Sequence, residues 1–193
     1  MERKGRELYG AHFRLHQADY LLLYRLLVYT LGDEENARKQ GIDLRKGLLI
    51  SGPIGCGKTS LMNLLRFFGP ESNRFLLKSC REVSFEFISE GYPVIQQYGQ
   101  ASFHRYSQAP KVYCFDDLGA ENNLKYYGNE CNVMGEILLS RYDLFVSRGM
   151  RTHLTTNLTS SELEKHYGNR VRSRMREMFN LVNFGREAKD KRS

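Results

Sequence analysis

The sequence predicts an α/β fold, a five-stranded parallel sheet flanked by helices, and three observations carry that expectation. First, the apolar run Gly47-Leu48-Leu49-Ile50-Ser51 leads directly into a glycine-rich turn, and an apolar-periodic helix follows from Leu61. Second, strand-like and helix-like segments alternate from there to residue 184, as crossover-connected parallel strands require. Third, a composition of 41% hydrophobic and 26% charged residues over 193 positions suits one globular core rather than a disordered chain. The expected organisation is an N-terminal helical extension packed on the core (1–46), the α/β core (47–184) and a basic C-terminal tail (185–193).

Residues 15–31 carry Leu15, Leu22, Leu23, Leu26, Leu27 and Leu31 on a broad helical stripe that Gly32 stops. A short helix over 34–40 ends at Gly41. The first strand is 47–51. Gly69-Pro70 turns the chain after the next helix, and 75–80 reads as the second strand. Residues 85–99 read as helix, broken in the middle by Gly91-Tyr92-Pro93. The third strand, 111–117, ends in two carboxylates. An amphipathic helix spans 132–148 and is capped by Gly149. The fourth strand is 151–157. Ser160 or Ser161 caps a helix to 167, a further helix covers 170–177, and 179–184 is the fifth strand.

The turn after the first strand has the spacing G-x-x-x-x-G-K-T over Gly52, Pro53, Ile54, Gly55, Cys56, Gly57, Lys58 and Thr59, followed by Ser60. Glycines at 52, 55 and 57 let successive backbone N–H groups point inward where side chains would block a phosphate. The helix that follows adds its positive dipole end. In such a loop Lys58 reaches the β- and γ-phosphates of a nucleotide and the Thr59 hydroxyl ligates Mg²⁺. The segment therefore predicts a P-loop nucleoside triphosphatase fold.

Asp116 ends an apolar strand, where packing gives a carboxylate no reason to be and where this architecture holds Mg²⁺. Asp117 is a candidate to orient or deprotonate the attacking water, or else to cap the turn Leu118-Gly119; Glu121 could serve instead. Asn157, closing Thr155-Thr156-Asn157, offers a neutral amide to a γ-phosphate or a lytic water, or caps the turn after it. In the run Arg170-Val171-Arg172-Ser173-Arg174-Met175-Arg176 the arginines spread over more than one helix face. Arg170 and Arg174 share a face, and either could fork onto the phosphate of a nucleotide held by a neighbouring subunit.

The net charge of +7 is uneven: the last 29 residues hold nine Lys/Arg against three Asp/Glu. That suggests a nucleic-acid or phosphate partner, or a solvated tail. Four scattered cysteines have no metal-like spacing and read as reduced thiols. The stretch 21–31 is short and carries Arg25, so no membrane span is expected and the expected location is the cytoplasm.

The order of these segments resembles that of AAA+ ATPases of the DnaC/IstB type, the helicase loaders and transposition helper proteins. Gly52 to Thr59 matches Walker A, Val112 to Asp117 Walker B, and Thr155-Thr156-Asn157 sensor 1. Gly168-Asn169-Arg170-Val171-Arg172-Ser173-Arg174-Met175 matches the arginine-finger box. The resemblance covers about residues 42–184. It implies ATP and Mg²⁺ bound through Lys58, Thr59 and Asp116, with Asn157 as sensor 1. Arg174 would be a finger supplied to the next subunit and Arg170 a supporting contact. It further implies a homo-oligomer formed with ATP, single- or double-stranded DNA, and a replicative helicase or transposase as partner. Residues 85–99 lie where initiator-type relatives place helices that engage single-stranded DNA.

Three departures from that pattern stand out. Asp117 occupies the place of a catalytic glutamate, which implies slow hydrolysis or dependence on Glu121. No helical lid with a sensor-2 arginine is expected after the fifth strand. The region before residue 42 is short for a helicase-docking domain. Two other functions fit parts of the pattern: an ATP-gated adaptor with negligible turnover, and a nucleotide kinase, against which stands the lack of an arginine-bearing lid between the third and fourth strands.

Overall fold

A computed structural model of the chain describes residues 1–121, 124–126, 129–185, 188, 190 and 191. Arg186, Lys189 and Arg192 of the basic tail lie outside these residues. The chain begins with helices α1 (Glu2–Tyr9), α2 (Tyr20–Leu31) and α3 (Glu34–Lys39), then strand β1 (Gly47–Ser51) and helix α4 (Lys58–Leu65). Next come β2 (Leu76–Ser79), α5 (Cys80–Glu90), α6 (Pro93–Tyr98) and β3 (Tyr113–Leu118). A small pair, β4 (Leu124–Tyr126) and β5 (Asn129–Cys131), precedes α7 (Val133–Arg148), β6 (Thr152–Thr156), α8 (Ser160–Met178) and β7 (Phe179–Asn183).

The five expected strands form one sheet in the order β2-β3-β6-β1-β7, and every neighbouring pair is parallel. Alternation along the strands divides the apolar residues between two faces. Leu48, Ile50, Cys114 and Val182 join the α2–α4 side, packing with Leu23, Leu26, Met62 and Leu65. Leu49, Tyr113, Phe115 and Leu154 join the α5–α8 side, with Phe87, Met134, Ile137 and Met175. The result is three layers, with the carboxyl ends of all five strands at one edge.

Several boundaries differ from the sequence expectation. Helix α2 starts at Tyr20, after a single 3-10 turn at Gln17–Asp19, rather than at Leu15. The preceding residues pack on α1 instead: Phe13 stacks on Tyr9 and covers Gly5, where a Cβ would overlap its ring. Helix α1 has no apolar stripe; its sequence signal is the pairing of Glu2 with Arg6 and Arg3 with Glu7, four apart. Helix α5 starts directly after β2 because Cys80, Val83 and Phe87 already form its buried stripe. The break before α6 falls at Gly91, as expected.

The helix after β6 is capped by Thr159 and not by Ser160 or Ser161. The Thr159 hydroxyl accepts from the Glu162 N–H, and the Glu162 carboxylate accepts from the Thr159 N–H at 2.7 Å. This reciprocal box satisfies two otherwise orphaned donors. Within α8, Gly168 adopts φ 80° and kinks the helix between its two predicted halves.

Residues 101–111, between α6 and β3, form a compact turn braced across its base. Phe103 pairs antiparallel with Pro110, His104 N–H donates to Ala109 O at 2.9 Å, and Lys111 N–H donates to Ser102 O at 2.9 Å. Beneath it lies Arg141, fully buried. Its guanidinium donates to Thr152 Oγ1 at 2.7 Å, Tyr98 O at 2.8 Å, Ser102 Oγ at 3.2 Å, Lys111 O at 2.9 Å and Arg151 O at 3.0 Å. The rings of Tyr113 and Phe115 lie against it, at 5.5 and 5.7 Å to their centroids. Burial lowers its pKa to about 9, which still leaves the cation charged at neutral pH. All its partners are neutral, so complete hydrogen bonding and the ring faces offset its desolvation.

Candidate functional site

The loop joining β1 to α4 turns through residues whose backbone few side chains tolerate. Gly55 and Gly57 have φ of 80° and 99°, and a Cβ on Gly52 would come within 2.6 Å of Phe184 Cβ. Gly57 directly precedes the first residue of α4, so the loop opens onto a helix N-terminus. Helix α4 is anchored by buried Leu61, Met62, Leu64 and Leu65, which fixes the loop against the sheet.

Lys58 is 6% exposed. Its ammonium donates to Gly52 O and Pro53 O at 2.8 Å each, and to the Asn157 side-chain oxygen. Burial lowers its pKa, against the attraction of Cys56, Asp117 and Asp116. The Cys56 thiol, fully buried at 3.8 Å from this ammonium, is pushed up by burial.

The carboxyl ends of β3 and β6 supply the other half of the site. Register between the two strands shifts after Phe115, and Asp117 takes a left-handed φ of 60°. This irregularity turns two consecutive carboxylates toward the loop. Asp116 accepts from the Thr59 hydroxyl at 2.9 and 3.1 Å and from the Thr155 hydroxyl at 2.6 Å. Asp117 N–H donates to Thr155 Oγ1 at 2.8 Å, and its carboxylate accepts from Asn157 Nδ2 at 2.7 Å. Lys58, Thr59, Asp116, Asp117 and Asn157 are therefore joined through Thr155 into one hydrogen-bonded group drawn from two strand ends and the start of α4. Thr155, fully buried, holds both aspartates and carried no role in the sequence reading.

These residues fit a nucleoside triphosphate and Mg²⁺. The loop is glycine-shaped for inward N–H groups, and the Lys58 amine is held against its carbonyls at Gly52 and Pro53. Thr59 and Asp116 place two hard oxygen donors side by side. Among the described residues no group of three or more His, Cys, Asp or Glu could hold a metal. A single carboxylate suits Mg²⁺, which retains water and substrate phosphate in its shell.

The loop lies in an open cleft of about 1410 Å³. Residues 12–16 of the N-terminal segment, with Asp19, form one wall, and Ala188, Asp190 and Lys191 contribute another. Lys191 N–H donates to Gly55 O at 3.0 Å and its ammonium pairs with Asp19. The Asp190 carboxylate lies against Gly55, where a Cβ would overlap it. Neither wall was expected from the sequence. His12, Arg14 and His16 are polar residues outside any apolar pattern, the one signal that could have marked them.

Glu121, Arg174 and Arg170 neither line this cleft nor bond to the network beside it. Glu121 accepts from Gly119 N–H at 2.8 Å and from the Tyr167 hydroxyl, and burial raises its pKa. It thereby ties the turn after β3 to α8. Arg174 lies with its guanidinium 4.8 Å from the Tyr142 ring centroid, its Nε buried without a hydrogen bond among the described residues. Arg170, four residues earlier, is exposed. All four cysteines are free thiols, and among the described residues no helix is long and apolar enough to cross a membrane.

No protein-family model and no curated protein matches the sequence. Solved structures do match by shape. The DnaC helicase loader superposes with a TM-score of 0.60 at 18% identity, over 90% of this chain and 93% of that one. DnaI superposes at 0.54 and 20% identity, over 96% and 95%. The replication initiator DnaA bound to AMPPCP and single-stranded DNA superposes at 0.56 and 15% identity, over 92% of this chain and 50% of that one. Sheet, loop and shape agree: the chain has the P-loop α/β fold of these solved structures, a five-stranded parallel sheet flanked by helices with a glycine-rich loop between its first strand and the helix that follows.

Proposed function

We propose that this protein is an ATP-binding and ATP-hydrolysing AAA+ protein of the DnaC/IstB type that acts on DNA as an oligomer, in helicase loading or transposition. The observation that carries the reading is the convergence of Lys58, Thr59, Asp116, Asp117 and Asn157 on one network at a glycine-shaped loop. Lys58 neutralises the β- and γ-phosphates, Thr59 and Asp116 hold Mg²⁺, and Asp117 with Asn157 orients the attacking water. Mg²⁺, when bound, supplies charge neutralisation along the triphosphate. Arg174 completes the pocket of an adjoining subunit; in support, it does not line the cleft of its own chain. DNA as ligand is supported by the +7 net charge and by the likeness to the DNA-bound initiator.

Turnover by purified protein is compared with Lys58→Ala and Arg174→Ala. Light scattering is recorded with and without ATP, Mg²⁺ and single-stranded DNA. The reading expects hydrolysis abolished by either substitution and ATP-dependent assembly lost with Arg174→Ala. A wild type that stays monomeric and hydrolyses no faster than Lys58→Ala overturns it.

One observation favours a second reading, an ATP-gated adaptor with negligible turnover. Asp117 is one methylene shorter than glutamate, and its carboxylate is already bonded to Asn157. Wild-type protein that binds ATP yet matches Lys58→Ala in turnover selects the adaptor.

A further inference from the structure

The turn at residues 101–111 offers exposed chemistry that the nucleotide site does not use. Residues 104–109 are all exposed, and Tyr106 is 94% so. Among the exposed large hydrophobic side chains of the described residues no other is presented as fully. The tip is built rather than loose. Gln108 adopts φ 52° and its N–H donates to His104 O at 3.0 Å; its side-chain amide donates to Arg105 O at 2.9 Å. Both legs of the turn are fixed from beneath by Arg141, through Ser102 Oγ on one side and Lys111 O on the other.

Charge along the segment itself has one sign. The sequence contains no Asp or Glu between Glu90 and Asp116, while His104, Arg105 and Lys111 all lie in that interval. Among the described residues no carboxylate pairs with Arg105. A fully presented aromatic face beside an uncompensated guanidinium matches one ligand chemistry well: an unpaired base with its adjoining phosphate. Every base offers a face to stack on, whereas a duplex has no unpaired base for a single protruding ring. Arginine pairs with phosphate through its planar fork.

We propose that this turn is a contact for single-stranded DNA, with the Tyr106 ring stacked on a base and Arg105 on the neighbouring phosphate. The proposal rests on the DNA-directed reading above and assigns that reading a surface. Because the turn feeds directly into β3, a strand held at this end leads to Asp116 and Asp117 at the other.

The chain has no tryptophan, so Tyr106→Trp installs a single fluorescent reporter at the tip. Titration with a thymidine oligonucleotide should quench its emission. In anisotropy measurements with the same labelled oligonucleotide, Tyr106→Ala should weaken binding about tenfold and Tyr106→Phe should bind as the wild type. Arg105→Ala should weaken binding and reduce the slope of log affinity against log salt by about 1. The exposed variants should melt as the wild type does by circular dichroism. If wild-type protein binds the oligonucleotide but Tyr106→Ala binds within about twofold of it, this assignment is overturned while the DNA-directed reading stands. If the wild type does not bind the oligonucleotide at all, the DNA-directed reading fails and the assignment with it.

Discussion

Asn157 bonds to Asp117 through its side-chain nitrogen, 2.7 Å from the carboxylate, while its oxygen receives the Lys58 ammonium. One neutral amide thus spans the carboxylate and the ammonium of the site. Asn157→Ala removes both bonds at once. The expected outcome is a loss of turnover of about 100-fold with nucleotide affinity changed by less than about tenfold, read from hydrolysis and from fluorescent-nucleotide titration. Equal losses in both measurements would mean that Asn157 only shapes the loop.

Asp117 pairs a chemical role with a costly backbone. At φ 60° a residue with a Cβ pays about 1 kcal/mol relative to glycine. Asp117→Gly should keep stability within about 1 kcal/mol of wild type in urea titration, and Asp117→Ala should be the less stable of the two. Both should lose hydrolysis. Activity retained by either variant would remove Asp117 from the reaction.

Thr155 bonds Asp116 through its hydroxyl proton and receives Asp117 N–H on its oxygen. Thr155→Val keeps the volume and loses both interactions. The Mg²⁺ concentration for half-maximal hydrolysis should rise about tenfold, and it should rise further for Thr59→Ala or Asp116→Asn. An unchanged Mg²⁺ requirement across all three would place the metal elsewhere.

His153 is fully enclosed, accepts Leu48 N–H on Nδ1 at 3.0 Å, and has its pKa lowered from 6.5 to about 3 by burial and by Arg151 and Arg141. The folded protein keeps this ring neutral, whereas the unfolded chain protonates it near 6.5. The stability it contributes is complete above that value and is lost as pH falls toward about 3. Between about pH 6.5 and pH 5 the loss is about 2 kcal/mol. Urea midpoints should show it, and His153→Phe, less stable at neutral pH because Leu48 N–H loses its acceptor, should show a shallower acid slope. Parallel slopes for the two proteins would remove His153 as the cause.

The sheet was legible because β1 and β3 are short apolar runs beside turn signals, and the alternation of strand-like with helix-like segments placed the more polar β2, β6 and β7 around them. The loop at 52–59 was legible for a different reason: its spacing is set by backbone geometry that only glycine meets. What escaped was chemistry made by tertiary approach. Thr155 looks like any β-branched strand residue until register sets it beside both aspartates. Glu121 resembled a spare catalytic acid, yet a tyrosine 46 positions later and a nearby amide use its oxygens. Helix α1 escaped because charge pairs, not an apolar stripe, mark it. Arg141 sat in an amphipathic helix as an unremarked cation, and nothing local reveals that five neutral acceptors surround it.

That arginine has a kinetic consequence. Its acceptors come from α6, from both legs of the turn it supports, and from the approach to β6, so they meet only when these segments have already docked. A bond network that needs all of them in place is expected to contribute little to the folding transition state. Weakening it should therefore leave the refolding limb of a chevron nearly unmoved and steepen escape from the native basin. On that expectation this buried charge sets how long a molecule persists once folded, rather than how quickly it gets there.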